Sequence, residues 1–134
     1  MIHIELEFEV LDHDPLIQIE FNGKTLYRGV AEEHYSFHEQ AVRGLKVCHN
    51  EIKISRYGKD YRQHQLGGKD QAVVIKKINL NGMSFPYITT HGIFTTDRGE
   101  KIKTDYLGHN GVYSFSFGSP VETWIVNHMY KQDL

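Results

Sequence analysis

Nine histidines, one cysteine and seventeen acids are the residues from which this chain can build a reactive or ligating site. His34 and His38 stand four apart. On a strand they would lie ~13 Å from each other on one face at ~3.3 Å per residue, too far to share an ion. On a helical turn they could meet, with Glu39 beside them, but a zinc-protease helix needs Glu directly after the first His and Tyr35 stands there. A pocket lined by His-x-His followed by Glu also has no matching triplet. The histidines therefore read as solvated or hydrogen-bonded, and His3, on an acidic face, as solvated. Cys48 has no second cysteine to bridge and reads as a small buried residue.

The acids offer a second chemistry. Asp12 and Asp14 flank His13 in an early turn, and Asp60 and Asp70 bracket a long polar loop. Calcium takes six to eight oxygens, which turn aspartates, carbonyls and water can supply, so Asp60 and Asp70 are the metal candidates. Lys59 and Lys69 beside them favour surface ion pairs instead. Glycosidase chemistry needs two facing carboxylates, one in an apolar setting that raises its pKa, and no acid here has such a setting. Serine-hydrolase, phosphate-loop and dinucleotide signatures are absent. No enzyme is expected and no cofactor is required, calcium being the one ion the loop acids would take.

Aromatics can stack on the faces of sugar rings. Tyr57, Tyr61, Tyr106, Tyr113 and Trp124 are the candidates. In the stretch 112–117, however, Tyr113, Phe115 and Phe117 share one face and fill a core, and Trp124 is assigned there too. Tyr57 and Tyr61, flanking the polar loop beside Asp60 and Asp70, are the ligand-binding residues this reading selects.

The elements that must position these groups are strands. Ile2, Ile4, Leu6, Phe8 and Val10 alternate with His3, Glu5, Glu7 and Glu9, a period of two that suits a half-buried ribbon. The same pattern leaves no basic start and no apolar run for a secretory signal. Ile17, Ile19 and Phe21 lead to Asn22-Gly23, and 73–80 lead to Asn81-Gly82, both signals for a two-residue hairpin turn with positive φ. The stretch 31–44 reads as a helical turn or an irregular loop. Apolar alternation from Leu45 to Ile54 shifts phase near His49 and Asn50, as a β-bulge would. Residues 58–72 form the longest loop, and 85–90 a short extended segment. Strands follow at 92–96 and 100–105 around an Asp97-Arg98-Gly99 turn, then at 112–117 and 121–128.

Eight to ten short strands with frequent turns predict an all-β fold, an antiparallel β-sandwich of jelly-roll-like topology, as one domain spanning 1–134. A formal charge of −2 with mixed signs gives no basic footprint for nucleic acid. No apolar run approaches the roughly 20 residues of a membrane span.

Two resemblances add expectations. The stretch from Leu45 to Gly82, with its Asn-containing bend, acid-bearing loop and Asp70-Gln-Ala-Val-Val-Ile-Lys-Lys-Ile-Asn-Leu-Asn-Gly82, resembles calcium-dependent carbohydrate-binding modules of the xylan-binding type. That likeness implies calcium-assisted binding of a surface glycan. The stretch Tyr106-Leu-Gly-His-Asn-Gly-Val-Tyr-Ser-Phe-Ser-Phe-Gly-Ser-Pro-Val-Glu-Thr-Trp-Ile125 is similar to the end of small β-sandwich proteins from marine tailed phages. It implies a non-catalytic virion-associated protein, of the decoration, tail or fibre kind, made in the host cytoplasm and held by virion proteins or by self-association. The virion role is the first expectation and the carbohydrate-binding module the second. A small metal enzyme with a cupin-like histidine pocket is the third.

Overall fold

The computed structural model of the chain describes residues 1–11, 15–32, 34–58 and 72–132, with side chains described as far as His128. Strands β1 (Ile2–Leu11), β2 (Leu16–Phe21), β3 (Lys24–Val30), β4 (His34–Val42), β5 (Asn50–Tyr57) and β6 (Ala72–Leu80) are followed by a 3-10 turn, Ile88–His91. Then come β7 (Ile93–Thr96), β8 (Lys101–Lys103), β9 (Tyr106–Leu107), β10 (Gly111–Phe117) and one helix, α1 (Val121–Gln132). A four-stranded sheet runs β4-β1-β6-β9 and a six-stranded sheet β3-β2-β5-β10-β7-β8. All pairings between these strands are antiparallel. The chain passes repeatedly from one sheet to the other, the jelly-roll-like sandwich that the strand count predicted.

The period of two explains how the sandwich closes. The inward residues of β1, Ile2 to Val10, are all buried, while His3 to Glu9 on the outer face are half-exposed. Facing them from β5 and β10 are Ile52, Ile54, Tyr113, Phe115 and Phe117, joined in the same buried cluster. Burial of each such side chain stabilises the fold by about 1.5–3 kcal/mol, an upper estimate because unfolded chains already bury some surface. The two Asn-Gly turns form as expected, with positive φ at Asn22, Gly23, Asn81 and Gly82.

Five local expectations are corrected. The stretch 121–128 is the first part of α1 and not a strand. Val121, Trp124, Ile125 and His128 stand at helical spacing, i, i+3, i+4 and i+7, and the Trp124 N–H donates to the Pro120 carbonyl to close the first turn. The stretch 31–44, read as a helical turn or loop, holds β4, in which Tyr35 and Phe37 point inward and His34, Ser36 and His38 outward. Residues 43–49 are loop and β5 begins at Asn50, whose buried side chain takes the Lys46 N–H at 2.7 Å, donates to the Lys46 carbonyl at 3.1 Å and receives Asn22 Nδ2 at 2.9 Å. The apparent phase shift is thus a side-chain-bonded loop, and Cys48 within it is exposed, not buried. Finally, the segment 85–90 curls into the 3-10 turn, entered through Tyr87 at φ 64.

Candidate functional site

Two surfaces carry chemistry, on opposite outer faces of the sandwich. The first is the end of β5 in the six-stranded sheet. Ile52, Ile54 and Arg56 point inward there, so Tyr57, half-buried, belongs to the outer face. Arg28 on β3, which is separated from β5 by β2, donates from Nε to Tyr57 Oη at 3.2 Å, and its guanidinium lies 5.6 Å from the ring centroid. The ring is thereby held by a hydrogen bond and a cation–π contact at the C-terminal end of β5. The other ligand candidates, Asp60, Tyr61 and Asp70, lie outside the described residues, as do Asp12 and Asp14. Among the remaining aromatics, Tyr113 is fully buried and Tyr106 is exposed on β9. Burial raises the Tyr113 phenol well above its ordinary pKa, so its hydroxyl stays a donor and bonds the Thr89 carbonyl at 2.6 Å. Trp124, half-buried, packs edge-on against Phe115 and Phe117, in line with its core assignment.

The second surface is the outer face of the four-stranded sheet. Glu5 pairs across the ladder with His38, and the chain register slips between Ile2 and Ile4. Diagonally across this pair the His3 and His38 rings meet at 4.5 Å between centroids, with their Nε2 atoms in hydrogen-bond contact. His3 is therefore a half-buried member of a cross-strand pair, not the solvated residue expected from its acidic neighbours. Asn81 holds it in place: the His3 N–H donates to Asn81 Oδ1 at 2.8 Å, and the Asn81 N–H returns to the His3 carbonyl at 2.8 Å. Lys77 reaches Glu5 at 2.8 Å and Glu7 at 3.6 Å, while Lys76 reaches Glu9 at 3.3 Å. The hydrogen bond from Lys77 holds the Glu5 carboxyl below the usual carboxylate range.

Among the described residues, His3, Glu5 and His38 form a group whose ligating atoms lie within 4.8 Å of one another. Two imidazoles and a single carboxylate do not fit calcium, a hard ion that asks for an all-oxygen shell. A second set of histidines lies at the helix, where His91 and His128 pack with Phe85 and Trp124. The sequence pattern marked the outer face only for His3, since His38 lay in a stretch read as a helical turn or loop and His128 in one read as a strand. It could not mark either pairing, because His3 and His38 meet only across the β1–β4 ladder, and His91 and His128 only where the 3-10 turn packs against the helix.

No protein-family model and no curated protein matches this chain. Two solved structures share its fold. One is described as "vCBM60 in complex with galactobiose", at 15% identity and TM-score 0.58, covering 84% of this chain and 96% of the other. The second is a selenomethionine form of vCBM60, described under circular permutation linking two families of calcium-dependent carbohydrate binding modules. It also shows 15% identity and TM-score 0.58, covering 86% of this chain and 90% of the other. These neighbours are carbohydrate-binding modules and carry nothing toward the virion expectation, whereas the architecture they share with this chain is an antiparallel β-sandwich.

Proposed function

We propose that the chain is a non-catalytic glycan-binding module whose contact surface lies at the C-terminal end of β5. The observation that carries this reading is the sandwich shared with the vCBM60 structures over most of both chains. Tyr57 supports it locally, since its ring is braced by Arg28 on an outer sheet face. Tyr61, four residues further along the chain in the stretch that the sequence marks as polar, would extend the stacking surface. Any calcium contribution rests on Asp60 and Asp70, because the described residues present no oxygen-rich cluster.

The test is retention of the protein by soluble polysaccharides in affinity electrophoresis, followed by calorimetry with galacto- and xylo-oligosaccharides, in calcium and in EDTA. Binding to at least one glycan is expected. Tyr57→Ala should weaken it by about threefold to tenfold through lost stacking. Absence of retention by every galactan, xylan and mannan tested, in both conditions, overturns the proposal. Retention that survives EDTA and an Asp70→Ala change would keep the glycan reading and remove calcium from it.

A further inference from the structure

On the opposite face from Tyr57 we infer a second site: His3, Glu5 and His38 bind a borderline transition-metal dication of the zinc class and thereby tie the edge strand β4 to β1. Zinc takes imidazole nitrogen and carboxylate oxygen at about 2.0–2.2 Å, and a tetrahedral shell spaces such ligands ~3.3 Å apart. The three ligating atoms, all within 4.8 Å of one another, need only small side-chain rotations to reach that spacing. Two histidines and one glutamate fill three positions and leave the fourth to water.

Three features make this more than a chance meeting of side chains. The ligands come from paired strands, Glu5 directly opposite His38, so the ladder fixes their separation. His3 lies two residues before Glu5 on the same outer face of β1, so its ring stands diagonally across the ladder from His38. Asn81 takes both backbone groups of His3, so the first ligand is anchored by the β6 turn as well as by its own strand. The charge balance also suits a cation. Among the described residues of this sheet's strands, Lys76 and Lys77 are the cations that share the face with Glu5, Glu7 and Glu9, and Lys77 already spans two carboxylates, so it can pass wholly to Glu7 when Glu5 turns to the metal. The effect falls on β4, which lies at the edge of its sheet with β1 as its single strand neighbour.

The bland alternative is a plain hydrogen bond between two neutral imidazoles, and the experiment separates the two. Titration of the intact protein with zinc chloride should show one equivalent bound, with a rise in Tm of several degrees at about 100-fold excess over Kd. Cobalt(II) should give the visible absorption of a four-coordinate nitrogen and oxygen shell. His38→Gln, on an exposed edge position, should fold normally and lose at least about tenfold in zinc affinity, as loss of a direct ligand requires. His3→Gln should do the same, and calcium or magnesium should give no shift. Failure of zinc to bind, or binding that persists undiminished in both His variants, overturns the assignment. Because the readouts involve no sugar and the site lies on the other sheet, its failure leaves the glycan reading standing, and the reverse holds.

Discussion

At Gly92 the structure leaves no room for a side chain. Its backbone is extended, so any residue could adopt its conformation, but a Cβ there would overlap the Tyr113 ring. Tyr113 cannot retreat: it is fully buried and its hydroxyl is bonded to the Thr89 carbonyl. Gly92→Ala should therefore destabilise by about 1–3 kcal/mol, the usual cost of overpacking. Thermal melting checks this, and an unchanged Tm would mean that the ring has space the structure does not show. The turn glycines were legible in the sequence because Asn-Gly between alternating runs carries its own backbone requirement. Gly92 was not, since its constraint comes from a tyrosine 21 residues away. The same limit explains the histidines. His3 lies on the predicted outer face, but its partner His38 is chosen by β1–β4 register. Cys48 escaped for the opposite reason: its apolar neighbours suggested a strand, whereas Asn50 bonds the local backbone into a loop and leaves the thiol outside.

Among the elements, α1 shows how a short stripe can be misread. Val121, Trp124, Ile125 and His128 fit a helix, yet the preceding run of strands made a further strand the economical continuation. Tertiary packing settles the matter, because Val121 and Ile125 are buried in the cluster that holds Phe115 and Phe117. The helix also sets a pH dependence. His91, on the 3-10 turn, faces Phe85, Trp124 and His128, with Lys103 near enough to act on its charge. Burial first, then the His128 and Lys103 charges, lower its pKa below the ordinary histidine value. The sign follows from linkage. Above the unfolded value of about 6.5 both states are neutral and the contribution is intact; as pH falls through the lowered folded value, the unfolded chain has already taken its proton, so stability is lost. Tm should thus drop as pH falls below the ordinary histidine value of about 6.5. In His91→Gln the drop should be smaller, while the histidines common to both proteins cancel in the comparison. Equal slopes for the two proteins would show that His91 contributes nothing.

For the molecule as a whole, sandwich class was legible because strand period and turn chemistry are local, but the assignment of strands to sheets was not. Ile4 pairs with Leu80 and Ile2 with Val42, so the four-stranded sheet joins segments that no nearby residue announces. The consequence is kinetic as well as topological. Long-range pairing must be completed before its contacts stabilise anything, and β-sandwiches of this kind refold in about milliseconds to seconds, slower than helical proteins of similar size. Trp124 is the sole tryptophan and sits between α1 and the core, in ring contact with Phe85, Phe115 and Phe117. Its fluorescence therefore reports the docking of the helix, while far-UV circular dichroism is dominated by the two sheets. If the chain folds as the one unit expected from its length, the two signals should trace the same urea transition with the same midpoint. A tryptophan change that precedes the loss of β signal would show α1 and the His91 cluster releasing first, as a separately unfolding unit laid over an intact sandwich.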